Sequence, residues 1–302
     1  MIKNVTFQNN GLKMAGNLYL PSDFDEQKQY AAVVCTYPAG AVKEQISGLY
    51  ASKLAERGFV ALAFDATHQG ESEGTPRYME IPSERIEDIS CAIDYLVQQP
   101  FVDKQKIAAM GICAGAGYTI NCAMTDRRIK AVVGVSGTDA GAVIRDGWLQ
   151  DTPIEQQILL LEEASEQRSR ESAGAEQLLG NYVPEQVTAD MPQSMQEAHD
   201  YYRTPRGGHP RSENKVSLLS MMKILSFEAF HLIDKLLTQP LLMVVGEKSD
   251  VFYISERAIS RAASKDKELF VLPNTTHVDL YDREFAVNPA SNKIAAFLRA
   301  RL

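Results

Sequence analysis

The 302-residue sequence is poor in cysteine and tryptophan, with four residues of the first type and one of the second. The spacing of Cys35, Cys91, Cys113 and Cys122 fits neither a disulfide framework nor a zinc site. Free thiols in a reducing cytoplasm are therefore the simplest expectation. Three of these cysteines fall inside predicted strands or helices and are expected to be small buried residues. Cys113 needs a separate explanation.

Long apolar runs and an excess of positive charge are also missing. No stretch of roughly 18 apolar residues occurs, so no transmembrane helix is expected. The first residues, MIKNVTFQNNGLKMAG, lack the apolar centre of a signal peptide. A formal net charge of -8 argues against a nucleic acid or a membrane surface as partner. These absences favour a cytoplasmic protein.

The chain does contain short apolar runs that alternate with helical patterns. Runs such as 31–37, 59–64, 131–135 and 240–246 are typical of strands buried on both faces of a sheet. Helical patterns separate them, the first over about 44–57. After an opening hairpin, this alternation predicts the α/β class, with a mainly parallel sheet of about eight strands and helices on both faces.

One long segment interrupts the alternation. Residues 138–236 are polar, rich in Glu and Gln, and mostly helical in propensity, without an apolar strand run. Because a structureless loop of this length would be unusual, we predict a helical cap inserted between two parts of the core, 1–137 and 237–302. Within the cap, 200–215 is expected to be a loop. The last helix is expected to begin near Pro289.

A pentapeptide between a predicted strand and a helix carries the strongest chemical signal: Gly111-Ile112-Cys113-Ala114-Gly115. A nucleophile elbow requires this context, because its sharp turn holds the central residue in a strained conformation. The flanking glycines are needed because larger side chains would collide where the chain reverses. Cysteine stands where the motif usually has serine. The amino end of the following helix and a nearby imidazolium would favour its thiolate.

A second match to the motif, with serine at its centre, lies in the wrong context. The segment 70–74 reads GESEG around Ser72, and a Thr-Pro pair follows, so no helix is expected to begin there. Its two glutamates would also place negative charge beside a forming oxyanion. We therefore expect Ser72 to belong to a polar loop and Cys113 to be the nucleophile.

An acyl-transfer site also needs two backbone N–H groups to bind the oxyanion. One should be that of Ala114, the residue after the nucleophile. The other should come from the loop after the third strand, where Ala39 is favoured and Gly40 is the near alternative. Their position at the end of a strand supports this role.

Among the five histidines, only His277 follows the last strand and precedes the last helix. It alone satisfies the order nucleophile, acid, histidine that accompanies this elbow while also lying at the carboxyl end of a strand. The acid should follow the strand that ends at Gly246, where Glu247 and Asp250 are both candidates. Asp250 is preferred because it lies deeper in the loop. Its role would be to fix the imidazole tautomer and stabilise its protonated form.

Four groups of residues together resemble a known superfamily: Pro38 with Val42-Lys43-Glu44-Gln45, Phe64-Asp65 before Gln69-Gly70-Glu71-Ser72, Gly111 to Tyr118, and His277 to Asp282. They resemble the α/β hydrolases over nearly the whole chain, and the cysteine elbow is similar to that of the dienelactone hydrolase group. The likeness is greater to a branch of uncharacterised bacterial hydrolases and fungal polyketide transferases. This resemblance implies Cys-His-Asp acyl chemistry, either hydrolysis or transfer to an alcohol. Small enol-lactone hydrolases lack so long a cap, which argues against a dienelactone substrate.

The predicted function is hydrolysis of a small ester, lactone or thioester. Cys113 would attack the carbonyl carbon, His277 would shuttle the proton and Asp250 would orient His277. Transfer of the acyl group to an alcohol is the alternative, and a non-catalytic ligand-binding protein of the same fold is a second. A peptidase is disfavoured, because departure of the amine limits amide cleavage by a thiolate.

Aromatic side chains are the candidates for the wall of the pocket. Tyr118 follows the elbow, and Trp148, Tyr182, Tyr201 and Tyr202 belong to the predicted cap. Nothing in the sequence predicts a metal or an organic cofactor. The expected partner is a small-molecule acyl substrate, and an exposed cap helix would permit a homodimer.

Overall fold

The computed structural model describes all of residues 1–302 and is organised around one eight-stranded sheet. Ten strands follow one another along the chain: β1 (Ile2–Asn9), β2 (Leu12–Tyr19), β3 (Tyr30–Thr36), β4 (Val60–Phe64), β5 (Val102–Ile112), β6 (Ile129–Val135), β7 (Leu179–Asn181), β8 (Lys215–Ser217), β9 (Leu241–Gly246) and β10 (Lys267–Leu272). Eleven α-helices are interspersed with them: α1 (Ile46–Ala55), α2 (Pro82–Val97), α3 (Ala114–Thr125), α4 (Ala140–Asp146), α5 (Ile154–Ser172), α6 (Gln193–Arg203), α7 (Met221–Ile224), α8 (Ile233–Leu236), α9 (Phe252–Arg261), α10 (Asp279–Asp282) and α11 (Glu284–Arg299). None of these helices combines the length and the apolar character needed to cross a bilayer.

The strand order of the main sheet is β1-β2-β4-β3-β5-β6-β9-β10. β1 and β2 form an antiparallel hairpin, and β2 pairs antiparallel with β4. All other neighbours are parallel. The carboxyl ends of these parallel strands therefore meet at one edge of the sheet, which is where sites form in open α/β folds. The predicted fold class, sheet type and opening hairpin are confirmed.

Two apolar cores of nearly equal size, with 37 and 36 buried residues, cover the two faces of the sheet. Along β3, Val33 and Cys35 belong to one core, whereas Ala32 and Val34 belong to the other. This alternation follows from the two-residue period of a strand. Helices α1 and α11 pack on the first face, and α2, α3 and α9 on the second. Burial on both faces is why these strands read as unbroken apolar runs.

The chain leaves the main sheet between β6 and β9, over the segment that is predicted to form the cap. This segment contains α4 to α8, of which α5 is the longest, with 19 residues. It also contains a small antiparallel sheet of β7 and β8, which the sequence analysis does not predict. Each of these strands has only three residues, too few to produce a visible apolar run. The boundaries of the cap at 138 and 236 stay a prediction.

The expected loop over 200–215 is wrong in its first part. Helix α6 continues to Arg203 and buries Tyr201 and Tyr202. The irregular stretch begins only after this turn. Burial of the two aromatic rings stabilises the last turn of α6 in a segment whose later glycines and prolines favour a loop.

Helix ends also differ from expectation. Helix α11 begins at Glu284 and includes Pro289 in its second turn, so the expected start at Pro289 is wrong. Pro289 has no N–H to donate to the carbonyl of Phe285. Both Glu284 and Phe285 are exposed, so water can bond to this carbonyl instead. Helix α1 is two residues shorter at each end than the predicted 44–57.

The cysteines are all free, and all four are buried. Cys35, Cys91 and Cys122 belong to the two apolar cores, as expected for small apolar side chains. Burial raises the pKa of both Cys91 and Cys122 to about 12. These thiols therefore stay protonated and unreactive near neutral pH.

Candidate active site

Cys113 occupies the turn between β5 and α3, with backbone angles of φ 52° and ψ -124°. A positive φ of this kind is strained for a residue that carries a side chain. The flanking glycines permit the turn. A Cβ atom on Gly111 would lie 2.1 Å from the carbonyl oxygen of Gly115, and one on Gly115 would lie 2.6 Å from that of Thr36. The thiol is thereby placed at the carboxyl edge of the sheet and the amino end of α3.

His277, in the turn between β10 and α10, lines the same cavity as Cys113. Burial is the largest single influence and raises the pKa of the thiol, but the His277 imidazole, together with the hydroxyl groups of Tyr281 and Thr138, holds this pKa below its ordinary value. Burial lowers the pKa of His277, but the interaction with Cys113, followed by the charges of Asp250 and Glu197, raises it above its ordinary value. These opposite shifts favour a thiolate–imidazolium pair.

Two hydroxyl groups and an indole surround this pair. Tyr281 Oη lies 3.3 Å from His277 Nε2, and Thr138 Oγ1 lies 3.7 Å from Cys113 Sγ. Both hydroxyl groups help to lower the pKa of the thiol. Trp148 packs edge-on against the imidazole, with ring centres 5.4 Å apart and ring planes at 89°. These contacts hold the imidazole ring beside the thiol.

Asp250, the preferred acid of the sequence analysis, lies in the loop between β9 and α9. Its carboxylate accepts hydrogen bonds from Ser194 Oγ and, at 3.2 Å, from Ser194 N in the first turn of α6. His277 Nδ1 is buried without a hydrogen-bond partner. The charge of Asp250 nevertheless contributes to the raised pKa of His277. In this conformation Asp250 is bonded to the cap and acts on His277 through its charge alone.

Glu247, the other candidate acid, is placed differently. Neither carboxylate lines the cavity, but Glu247 is exposed, whereas Asp250 is half-buried, and Glu247 Oε2 accepts a hydrogen bond of 2.8 Å from Asn274 N. Its charge is not among the influences that raise the pKa of His277. The geometry therefore favours Asp250.

The two amides expected to bind the oxyanion both border the cavity, since Ala39 and Ala114 belong to its lining. Neither N–H donates to a carbonyl of the surrounding loops, so both are available to a ligand. Gly40 lies outside the lining. Its carbonyl accepts hydrogen bonds from Ser212 Oγ at 2.7 Å and from Asn214 Nδ2 at 2.9 Å, which tie the loop to the cap.

The cavity has a volume of about 130 Å³, and 16 of its 21 lining residues are hydrophobic. Four of the aromatic residues proposed from the sequence line it: Tyr118, Trp148, Tyr182 and Tyr202. Tyr201 lies outside and packs against Tyr202. An apolar cavity with a few polar groups suits the acyl part of a small molecule. No group of three or more Cys, His, Asp or Glu side chains is arranged to hold a metal ion.

Sequence reasoning assigns no role to four residues of the site. Tyr281 follows His277 by four positions, a spacing that would have placed it on the same side of a helical turn. Thr138 follows the end of β6, at the same edge of the sheet as the elbow. No local signal marks Glu80 or Ser194, because a long loop and the cap bring them to the cavity.

Ser72, the centre of the second motif, is buried beside β2 and does not line the cavity. It is 2% exposed. Its hydroxyl donates to the carbonyl of Asp65 at 2.6 Å and accepts from Ala15 N at 2.9 Å. No helix begins directly after the segment 70–74, because α2 starts only at Pro82. Ser72 thus joins β2 to the loop after β4.

Replacing Ser72 with alanine should destabilise the fold without affecting turnover. The change leaves the carbonyl of Asp65 and the N–H of Ala15 without their buried partner, which costs about 1–3 kcal/mol of unfolding free energy. Urea denaturation would measure this loss, and ester hydrolysis at a temperature where the variant stays folded would measure activity. Loss of turnover in the folded variant would make Ser72 a nucleophile and contradict this assignment.

Comparisons of sequence agree with the fold. Residues 10–218 match the family described as X-Pro dipeptidyl-peptidase (S15 family). The uncharacterised protein YcjY of Escherichia coli K12 is 38% identical over the full length of both chains. The polyketide transferase GrgF of a Penicillium species is 27% identical over 74% of this chain and 73% of its own.

Two solved structures superpose on this chain over its full length. The crystal structure of the hypothetical protein PA2218 from Pseudomonas aeruginosa superposes with a TM-score of 0.93 at 35% identity, over 100% of this chain and 94% of its own. That of GrgF, described as an α/β hydrolase, superposes with a TM-score of 0.83 at 22% identity, over 100% and 99%. The second comparison bears on the fold alone. The family match over more than half of the sequence establishes that the chain belongs to the family described as X-Pro dipeptidyl-peptidase (S15 family), and its fold is that of the α/β hydrolases.

Proposed function

We propose that this α/β hydrolase cleaves a small ester, lactone or thioester through a thioester acyl-enzyme on Cys113. One observation carries the proposal: a cysteine at a strained strand-to-helix turn lies beside a buried histidine in an apolar cavity. The thiol pKa is lowered and the imidazole pKa is raised, as a thiolate nucleophile requires. A free thiolate nucleophile also fits a reducing cytoplasm.

The reaction would proceed in two halves. The thiolate of Cys113 attacks the acyl carbon, and the N–H groups of Ala39 and Ala114 stabilise the oxyanion. The imidazolium of His277 then gives its proton to the departing alcohol or thiol, and the thioester remains on the enzyme. In the second half His277 takes a proton from water, the resulting hydroxide attacks the thioester, and the acid leaves as the thiolate of Cys113 is restored beside the imidazolium.

Asp250 would orient His277 when its carboxylate turns toward Nδ1. A carboxylate has about four acceptor positions, and Ser194 uses two of them. The remaining positions leave room for a hydrogen bond from Nδ1, which has no partner otherwise. Such a bond would fix the tautomer in which Nε2 faces the thiol, because Nδ1 would then carry the proton.

Acyl transfer to an alcohol is the second candidate. The specific observation in its favour is the cavity, whose largely apolar lining includes Trp148, Tyr182 and Tyr202 from the cap. Exclusion of water by these side chains would prolong the life of the thioester until an alcohol attacks it. The relative GrgF is called a polyketide transferase, which is consistent with this chemistry. The X-Pro dipeptidyl-peptidase description suggests amide cleavage instead, for which a thiolate is less suited.

Intact-mass spectrometry with activated acyl donors tests the proposal. The wild-type protein, mixed with 4-nitrophenyl acetate or a short acyl thioester, should gain one acyl group on Cys113 and then lose it with turnover. Cys113→Ala should show neither. Adding an alcohol distinguishes the two candidates, because a transferase yields the new ester faster than the free acid. Turnover of an X-Pro nitroanilide would favour the peptidase instead.

Two results of this experiment would contradict the proposal. If the folded wild-type protein gains no acyl group from any of several donors and releases no product, the enzymatic proposal is wrong. A non-catalytic ligand-binding protein would then remain. If the adduct forms at a residue other than Cys113, the nucleophile is misassigned.

A further inference from the structure

A buried carboxylate interrupts the apolar wall of the cavity. Glu80, in the loop before α2, belongs to the lining and is 1% exposed. Its Oε1 accepts hydrogen bonds from Tyr118 Oη at 2.8 Å and from Arg85 Nη1 at 3.3 Å. Its backbone N–H donates to Ser220 Oγ at 2.9 Å. The carboxylate is thus held firmly at the cavity wall, although neither half of the proposed reaction uses it.

Arg85 neutralises the charge of Glu80, but the carboxylate can still accept a further hydrogen bond. Arg85 Nη1 also lies 3.2 Å from Glu80 Oε2, and the guanidinium stacks over the rings of Tyr37 and Tyr118, at 4.7 and 5.0 Å from their centres. Oε2 therefore accepts a single hydrogen bond and has capacity for another. Because Arg85 balances its charge, the site does not call for a cation.

A second polar group borders the cavity nearby. The hydroxyl of Tyr182, a cap residue, is buried and has no hydrogen-bond partner. Burial, followed by the negative charge of Glu80, holds the pKa of this phenol well above its usual range. Both groups line the same cavity, and no hydrogen bond joins them. A buried hydroxyl in a native protein rarely lacks a hydrogen-bond partner, and where the protein supplies none, a water or a ligand usually does.

We propose that Glu80 and Tyr182 together bind a hydroxyl group on the acyl chain, so that the substrate of this enzyme is a hydroxyacyl ester or thioester. This inference rests on the proposed acyl chemistry at Cys113. A hydroxyl is both donor and acceptor, so it can donate to Glu80 Oε2 and accept from Tyr182 Oη at once. An ammonium group cannot accept from Tyr182, and an ionised carboxylate cannot donate to Glu80.

The test compares acyl donors that differ only in the hydroxyl. Hexanoyl thioesters of N-acetylcysteamine, without a hydroxyl or with one on the third, fourth or fifth carbon, are offered to the wild-type protein. One hydroxylated isomer should show a kcat/KM at least about ten-fold above that of the plain hexanoyl donor. In Tyr182→Phe this ratio should fall toward unity. This variant is chosen because the hydroxyl it removes bonds to no other group of the protein.

Tyr253→Phe is the matched control. Its hydroxyl is also buried and without a partner, but Tyr253 lies outside the cavity lining, so the ratio should stay at the wild-type value. Equal rates for plain and hydroxylated donors in the wild-type protein would overturn the inference. So would a preference for an aminohexanoyl donor, or an unchanged ratio in Tyr182→Phe.

A binding measurement keeps this inference separate from the proposed chemistry. Calorimetry on Cys113→Ala would compare methyl hexanoate with the same hydroxylated methyl esters, and needs no turnover. Tighter binding of one hydroxylated ester, lost in Cys113→Ala with Tyr182→Phe, supports the site even if no donor acylates the wild-type protein. Equal binding of plain and hydroxylated esters overturns the site even if acylation of Cys113 is observed.

Discussion

Replacing His277 with glutamine is expected to lower kcat/KM for an ester substrate by about 10³-fold, within the range found for positioned proton-transfer groups. Glutamine keeps a hydrogen-bonding side chain but cannot exchange a proton near neutral pH. The variant could neither protonate the departing alcohol nor deprotonate the attacking water. Cys113 would also lose the imidazole that lowers the pKa of its thiol.

Alkylation by iodoacetamide measures the second effect directly. The thiolate is the reactive form, so in the wild-type protein alkylation of Cys113 should become half-maximal at a pH below the ordinary thiol pKa. In His277→Gln, the imidazole no longer opposes the effect of burial, so the pKa of the thiol and the half-maximal pH should both move upward. Cys91 and Cys122 are internal controls, because their pKa is raised to about 12.

His68→Gln is the matched control for the loss of a buried histidine. His68 is 8% exposed and its Nε2 lies 2.9 Å from Glu84 Oε2, but it does not line the cavity. Its replacement should leave both turnover and the alkylation profile of Cys113 near wild type. A folded His277→Gln protein with wild-type turnover, or with an unshifted alkylation profile, would remove His277 from the mechanism.

The sheet could be predicted from the sequence because its signal is local. Strands buried on both faces read as apolar runs, as in β3 and β9, and glycine or polar residues punctuate them. The short strands β7 and β8 lack such a signal, since they pair across more than 30 residues and have three residues each. The end of α6 could not be predicted either, because burial of Tyr201 and Tyr202 extends this helix and depends on the tertiary structure.

The site was predictable to the extent that its chemistry is encoded in short motifs. Cys113 is marked by the glycines two positions away, and His277 by its place after the last strand. Glu80 carries no such mark, and Tyr182 was predicted only as an aromatic candidate for the wall of the pocket. That Glu80 and Tyr182 line one cavity depends on the tertiary structure, which a single sequence does not reveal.

Replacing Asp250 with asparagine is expected to lower kcat/KM by about 10²-fold or more, because the imidazolium of His277 loses a nearby negative charge and the carboxylate that is proposed to turn toward its unpartnered Nδ1. The pH profile should change as well. The charge of Asp250 helps to raise the pKa of His277, so its loss lowers that pKa. The imidazolium is then lost at lower pH, and the alkaline limb of kcat/KM should move downward.

Two further variants test whether the loss of turnover is due to the carboxylate of Asp250. Glu247→Gln should stay within about two-fold of wild type, since Glu247 is exposed and bonded to Asn274 N. Ser194→Ala should cost no more than about ten-fold, because the backbone N–H of Ser194 still holds Asp250 Oδ2. A larger loss in Glu247→Gln than in Asp250→Asn would reverse the choice of acid. If Asp250→Asn lowers turnover without moving the alkaline limb, Asp250 serves to anchor α6 of the cap, and His277 works without an orienting carboxylate.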